Sequence, residues 1–264
     1  MRFCALASGS SGNSIYIGSD STHILIDAGI SNKRICEGLN GLDIKPEELS
    51  GILITHEHSD HIGGLKVFCK KYQIPIYATQ QTLYQIKKNI DSIDDSLLNV
   101  VKSDVKLMVG DLTVNPIGIS HDAVCPVGYR VSYGSKKMAV CTDLGKYDEY
   151  TVDCLRGLDV LLLEANHDIR MLQTGPYPYH LKQRILSDKG HLSNEASGQL
   201  LSKVLHDGVK KVFLGHLSQE NNYPELAYEA VKTEVTLSSC NNYRGDDFDI
   251  SIANRSEPSL MVEI

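Results

Sequence analysis

Apolar runs that break off abruptly into polar side chains recur along this chain and set its organisation. The central one, Gly51-Ile52-Leu53-Ile54, gives way to Thr55-His56-Glu57-His58-Ser59-Asp60-His61 and then Ile62-Gly63-Gly64. Upstream, apolar positions bounded by turn residues predict strands over 3–7, 14–18 and 23–27. A helix over about 33–39 and a turn at Pro46-Glu47-Glu48-Leu49 lead into the central strand. Beyond it, helical periodicity covers 65–72 and 80–90, with a short strand over 74–78 between them and Lys87 and Lys88 on a solvated face. Strands follow within 97–120 around the turn Val109-Gly110-Asp111-Leu112, then over 127–131, with a hairpin tip at 133–137 and a return over 138–145. Strands over 160–168 and 209–218 bracket a helix over 194–205 that Ser193 or Asn194 can cap. A helix over 224–233, begun by Gln219-Glu220-Asn221-Asn222, and a closing pair of strands at 249–253 and 260–263 complete the pattern.

The chemistry sits where the apolar runs end. Three imidazoles and a carboxylate closing a buried strand lose hydration and require a partner. A divalent metal is one that imidazole and carboxylate oxygen both suit. His56 and His58 stand two apart in an extended segment, so they face the same way and can share one ion. Asp60 and His61 come where strand turns to helix and can address a second ion. Ile117-Gly118-Ile119-Ser120-His121 repeats the logic and makes His121 the third ligand of the first ion. Val212-Phe213-Leu214-Gly215-His216 repeats it again, and His216 completes the second ion with Asp60 and His61. Asp143 closes the 138–145 strand; alone, it reads as a helix cap or turn residue. His191, just ahead of a helix, can face an anion held there or bond within its own loop. Ser8-Gly9-Ser10-Ser11-Gly12-Asn13-Ser14 is open between a tight turn and a loop whose hydroxyls and N–H groups bind phosphate. His206 reads as solvent-exposed, and His167 and His180 as rim residues.

Composition narrows the classes. A chain of 264 residues, 42% hydrophobic and 22% charged, is an ordinary globular protein with room for a sizeable core. The formal charge of -7 argues against a broadly basic, nucleic-acid-coating surface. It leaves a phosphate substrate open, because two divalent ions concentrate positive charge at one spot. Seven scattered cysteines, never spaced as C-x-x-C, suggest a reducing cytoplasm rather than disulfides or a thiolate zinc site. Cys141 reads as a buried thiol. No segment approaches the roughly 20 apolar residues of a membrane span, and the N-terminal apolar stretch is short for a secretory signal.

The His-x-His-x-Asp-His pattern of His56 to His61 resembles the signature of the metallo-β-lactamase superfamily. Four further features narrow the resemblance: the Ala7-Ser8-Gly9-Ser10-Ser11-Gly12-Asn13-Ser14 opening, Thr142-Asp143-Leu144-Gly145, Glu164-Ala165, and the paired His-Leu-Ser elements at 191 and 216. Together they resemble the YycJ/WalJ/VicX-type hydrolases, relatives of RNase Z, RNase J and PhnP-type phosphodiesterases. The resemblance implies an α/β (α+β) fold, a four-layer αβ/βα sandwich of two mixed sheets flanked by helices. It implies a single domain over 1–264, with no β-CASP insertion between Asp143 and His216. It implies two divalent ions, zinc or manganese with iron admissible, bridged by Asp143, and Asp27 supporting the metal-binding loop from behind.

Glu164 is implied to pair with His191, which contacts the scissile phosphate or protonates the leaving oxygen, while Asp60 handles the proton of the attacking water. Ser8, Ser10, Ser11 and Asn13 are implied to contact substrate. The implied reaction is phosphodiester hydrolysis by a metal-bridged hydroxide, with nucleic acid as substrate and 5′-to-3′ trimming of double-stranded DNA ends foremost. No membrane or protein partner is written in the sequence. The alternative is a small-molecule ester, lactone or thioester hydrolase of the glyoxalase II or lactonase type, against which the Glu164–His191 pair speaks. A β-lactamase would carry an export signal and a cysteine ligand, a flavodiiron protein a Glu in place of His58, and a non-catalytic regulator would lack ligands that are all present here.

Overall fold

The computed structural model describes residues 1–264. In chain order it opens with β1 (Arg2–Ala7), β2 (Ser14–Gly18), β3 (His23–Ile26), α1 (Asn32–Asn40) and β4 (Leu49–Leu53). Next come α2 (Ser59–Ile62), α3 (Leu65–Tyr72), β5 (Ile76–Thr79), α4 (Gln80–Asn89) and β6 (Leu98–Val101). A meander of β7 (Leu107–Val109), β8 (Leu112–Gly118) and β9 (Val127–Tyr133) follows. The remainder is β10 (Lys136–Cys141), α5 (Glu149–Leu155), β11 (Val160–Glu164), α6 (Ile169–Thr174), α7 (Tyr179–Ile185) and α8 (Asn194–Val204). It ends with β12 (Lys211–Gly215), α9 (Pro224–Leu237), β13 (Ile250–Ile252) and β14 (Val262–Glu263). The strands form two seven-stranded mixed sheets, ordered β14-β1-β2-β3-β4-β5-β6 and β13-β12-β11-β10-β9-β8-β7. The chain divides into two compact units, Met1–Gly118 with Ala123–Lys136 and Asn254–Ile264, and Ile119–Asp122 with Lys137–Ala253.

In the first unit, β1, β2 and β3 pair antiparallel, and β3 to β6 run parallel. Leu6, Tyr16, Leu25, Ile52, Ile54 and Ile76 bury one face of this sheet against Ile35 and Leu39 of α1, Leu65 and Phe68 of α3, and Leu83 and Ile86 of α4. Each such side chain contributes about 1.5–3 kcal/mol when fully buried. Ser31 caps α1 by accepting from the Arg34 N–H, and Thr79 caps α4 by accepting from the Thr82 N–H. The parallel register Ile26↔Leu53 makes the chain leave both strands at one edge, so Asp27 and Thr55 emerge side by side. β3 stops one residue short of the predicted strand because Asp27 turns left-handed, at φ 63°. The backbone then packs so closely that a Cβ on Gly29 would lie 1.7 Å from the Asp60 carbonyl oxygen.

In the second unit β10, β11, β12 and β13 are all parallel. Their cores, Met138-Ala139-Val140-Cys141, Val160-Leu161-Leu162-Leu163 and Val212-Phe213-Leu214, are uninterrupted apolar runs because such strands are buried on both faces. The registers Cys141↔Leu163 and Glu164↔Gly215 bring three chain segments out at one edge, carrying Asp143, Glu164 and His216.

Three expectations change. Residues 249–253 and 260–263 do not pair with each other: β13 runs parallel to β12, whereas β14 pairs antiparallel with β1, Arg2 opposite Glu263. Neighbouring short apolar segments suggest a hairpin, and here long-range pairing wins. Helices α5, α6 and α7 lie in stretches left without helix by periodicity; α5 is fixed by the Asp148–Thr151 capping box, and α6 and α7 are one to two turns long and interrupted by Pro176 and Pro178. α9 starts at Pro224, after Tyr223, and continues to Leu237.

Gly29→Ala is expected to lose about 3 kcal/mol or more of unfolding free energy in urea, because the overlap is with backbone that cannot yield. Gly41→Ala, whose Cβ would meet nothing closer than 3.4 Å, should stay within about 0.5 kcal/mol of the parent.

Candidate metal centre

The first unit carries one set of donors on the loop after β4 and on α2. His56 and His61 are fully buried, and His58 and Asp60 are partly exposed. The Asp27 carboxylate accepts from the Thr55 N–H at 2.8 Å and the Thr55 hydroxyl at 2.9 Å, and lies 2.7 Å from His61 Nδ1. With Nδ1 held there, His61 turns Nε2 toward Asp60 Oδ2, 3.5 Å away. His56 Nδ1 is held 3.0 Å from the Thr55 hydroxyl, which likewise directs Nε2 outward. The His56 ring packs on His58 and His61 with centroids 4.6 and 4.1 Å apart. Burial raises the Asp27 pKa, and His61 and Thr55 only partly offset it. Glu57, the other carboxylate of the motif, accepts from the Val124 N–H and so anchors the loop instead of serving as a donor.

The serine loop divides. Ser10 and Ser11 are exposed, as a substrate contact requires, whereas Ser8 and Asn13 are buried. Asn13 closes the loop on itself: its Oδ1 accepts from the Gly9 N–H at 2.9 Å and its Nδ2 donates to the Gly9 carbonyl at 3.1 Å. Its backbone N–H donates to the Asp60 carbonyl, and Nδ2 also lies 3.2 Å from His61 Nε2. Asn13 is thus a brace for the donor loop, and its burial keeps it from the substrate contact expected of it.

The second unit carries the other set. Asp143, at φ 58°, and His216, at φ 55°, both take left-handed backbone just past their strands. Such conformations in non-glycine residues cost about 1–3 kcal/mol and persist where surroundings dictate them. His121 Nδ1 is tied to the Gly190 carbonyl at 3.1 Å and His216 Nδ1 to Glu164 Oε1 at 2.8 Å. Both therefore present Nε2, and each Nε2 lies 3.6 Å from Asp143 Oδ1. His191, 18% exposed, also gives Nδ1 to Glu164 Oε1 at 2.8 Å and lies 3.7 Å from Asp143 Oδ1.

Asp143, Glu164, His191 and His216 bring their donor atoms within 4.8 Å of one another. Glu164 is nonetheless a brace: Oε1 is occupied by two imidazole N–H groups and Oε2 accepts from the Leu144 and Leu192 N–H groups. Burial alone would raise its pKa, but His191 and then His216 outweigh burial and hold it at about 2. Burial opposes charge on His191 too, and Glu164 followed by Asp143 outweighs it, so its pKa is raised. His121 moves the other way, lowered by burial that Asp143 only partly offsets. Burial, with Glu164 and Asp143, pushes Cys141 up to about 12, the inert thiol expected.

Four features escaped sequence reasoning. Glu164 serves His216 as well as His191; the only available hint was its place at the end of an apolar run. Gly190 supplies the carbonyl for His121, and a Cβ there would lie 2.0 Å from the Ile185 carbonyl oxygen. His167 is not a rim residue: it is 1% exposed, with neither ring nitrogen hydrogen-bonded, while His180 is exposed. His206 is half-buried, with Nε2 on the Leu158 carbonyl at 3.0 Å, so it is a loop clamp rather than the solvent-exposed residue expected.

Glu164→Gln removes the charge and sets an amide against two N–H donors. Metal affinity and turnover are expected to fall ~10–100-fold, read by elemental analysis and hydrolysis rate. Burial lowers the His167 pKa from 6.5 to about 4. Below 6.5 the unfolded chain takes up a proton that the folded one refuses, so the stability present above 6.5 drains away as pH falls toward 4. His167→Gln is expected to lose less stability over that interval than the parent, measured by urea unfolding of metal-free protein.

A match to the β-lactamase superfamily domain family spans residues 22–217. Exodeoxyribonuclease WalJ of Streptococcus pneumoniae is 38% identical, covering 100% of this chain and 98% of the relative. Exodeoxyribonuclease YycJ of Bacillus anthracis is 40% identical over 88% of each. The crystal structure of YhfI from Bacillus subtilis, a metallo-β-lactamase fold protein, superposes with a TM-score of 0.71 over 98% of both chains at 17% identity. With two mixed sheets flanked by helices and donors at the strand ends, this chain belongs to the β-lactamase superfamily domain family and has the metallo-β-lactamase α/β sandwich fold.

Proposed function

We propose that this chain is a dinuclear-metal phosphodiesterase that trims DNA ends, with 5′-to-3′ exonuclease action on double-stranded DNA as the leading form. The observation that carries the reading is Asp143 Oδ1 at 3.6 Å from both His121 Nε2 and His216 Nε2. Two ligands each ~2.1 Å from one ion at a tetrahedral angle stand about 3.4 Å apart, so a carboxylate placed equally from two imidazoles suits one shared between two ions. Outward-facing Nε2 atoms, each set by a hydrogen bond at Nδ1, are the donors such ions take.

In this reading His56, His58 and His121 would hold one ion, Asp60, His61 and His216 would hold the other, and Asp143 would serve both. Zinc or manganese fits the set, with iron admissible. Two divalent ions there would lower the pKa of an attacking water and offset charge on the phosphoryl oxygens. Asp60 accepts the water's proton or orients it. His191, its Nδ1 fixed by Glu164, turns Nε2 to the scissile phosphate or the leaving oxygen. Ser10 and Ser11 offer hydroxyls to a neighbouring phosphate. The exodeoxyribonuclease names of the two relatives support nucleic acid, and DNA in particular, as substrate. Seven free cysteines suit a reducing cytoplasm, and no helix is long and apolar enough to cross a membrane.

Manganese- and zinc-loaded protein is expected to hydrolyse bis-p-nitrophenyl phosphate and leave a simple lactone and thioester untouched, with Asp60→Ala inactive. Ester turnover without diester cleavage would move the chain to the small-molecule branch. Asp143→Ala should lose bound metal together with activity, whereas His191→Ala should keep its metal and lose most diester turnover; a fully active, metal-loaded Asp143→Ala variant would defeat the dinuclear scheme.

A further inference from the structure

From His61 to Ile90 the chain carries five of its 26 basic side chains, Lys66, Lys70, Lys71, Lys87 and Lys88, and none of its 33 acidic ones. All five belong to α3 and α4. Leu65, Phe68 and Cys69 of α3 and Leu83 and Ile86 of α4 bury in one cluster with Ile52, Ile54 and Ile76. Both helices therefore cover the same face of the first sheet and turn their other sides to solvent.

Lys87 is used internally, its ammonium 2.7 Å from Asp95 and hydrogen-bonded to the Ile93 carbonyl. Lys66, Lys70, Lys71 and Lys88 are exposed and make no ion pair, and Lys71 rests over the Tyr72 ring at 4.8 Å. Helix electrostatics accounts for part of this pattern, since Lys70 and Lys71 close α3 and Lys88 closes α4, where the macrodipole favours cations. It does not account for Lys66. That residue lies in the first turn of α3, at the positive end, and forms with Lys70 a like-charge i,i+4 pair that weakens a helix. Tyr84, 68% exposed, and Val67, 57% exposed, add apolar area among the cations. A surface shaped for solubility alone intersperses both signs of charge. Unpaired lysines on two outward helix faces fit a phosphate backbone instead, and a single exposed tyrosine is too few for the stacked aromatics of single-strand readers.

We propose that the outer faces of α3 and α4 form a binding surface for the phosphate backbone of duplex DNA, holding the substrate by a part that is not being cut. The proposal rests on the nuclease reading above, and α3 begins four residues after His61, so the surface continues directly from the donor loop.

The test is fluorescence anisotropy of a short labelled duplex, its terminal linkages phosphorothioate, titrated with metal-loaded protein over a range of salt. The triple variant Lys66→Gln, Lys70→Gln, Lys71→Gln is expected to bind ~10-fold or more weakly at ~0.1 M salt, with the slope of log affinity against log salt reduced by ~2–3. Lys66→Gln alone should reduce the slope by ~1, which keeps the test standing if the triple variant fails to fold. Lys102→Gln, Lys106→Gln, Lys210→Gln removes the same charge from exposed lysines elsewhere and should leave the slope as in the parent. An unchanged slope in the first set, or an equal fall in both sets, overturns the surface while the nuclease reading stands. Failure of that reading looks different: the parent protein neither hydrolyses a phosphodiester nor binds the duplex, and the surface falls with it.

Discussion

Two buried carboxylates govern this structure through the Nδ1 edges of histidines. Asp27 holds His61 at 2.7 Å, and Glu164 holds His191 and His216 at 2.8 Å each. Removing either carboxylate from water is costly, and it is tolerable only because each carboxylate oxygen finds at least one N–H or O–H donor. The return is positional. An imidazole fixed at one nitrogen has a defined tautomer and a defined direction for the other, which is what a metal ligand needs. Each unit of the chain thus carries its own brace and its own donors: Asp27 for the loop after β4, Glu164 for the loops before α8 and after β12.

Parallel strand pairing is what brings a brace to its histidine. Strands running the same way end at the same edge, and residues just past their ends become neighbours although far apart in sequence. Asp27 and Thr55 meet because Ile26 pairs with Leu53; Glu164 and His216 meet because Glu164 pairs with Gly215. The apolar character of β10, β11 and β12 therefore serves the site directly, since a slip in register would separate brace from ligand.

Much of this was legible because polar clusters closing apolar runs are a one-dimensional signal. His56, His58, Asp60, His61, His121 and His216 announce themselves in that way, and so do the apolar strands that carry them, whereas Asp143 read alone as a cap or turn residue and stood out only through the resemblance. What stayed hidden depends on contacts between distant segments. Nothing in the sequence around Glu164 shows that it carries two histidines, and nothing in the serine loop shows that Asn13 folds back on Gly9 and reaches His61. The partners of β13 and β14 were lost for the same reason, because sequence proximity suggests pairing that the sheets do not make. His167 and His206 were misplaced because burial is not written in a lone histidine. The short helices α6 and α7 escaped because two prolines and few apolar positions leave periodicity little to act on.

The left-handed backbone at Asp27, Asp143 and His216 has a consequence for how this chain tolerates change. At the two aspartates, shape and charge are separable: asparagine adopts the same conformation readily, whereas a β-branched or bulky replacement does not. An aspartate-to-asparagine exchange keeps the loop and discards the anion, and an exchange to valine discards both. Neutral drift at these positions is therefore channelled through asparagine and glycine. A homologue carrying asparagine at either would be expected to keep the architecture of its strand ends while surrendering the chemistry, a route by which an enzyme of this fold could become a scaffold without first unfolding.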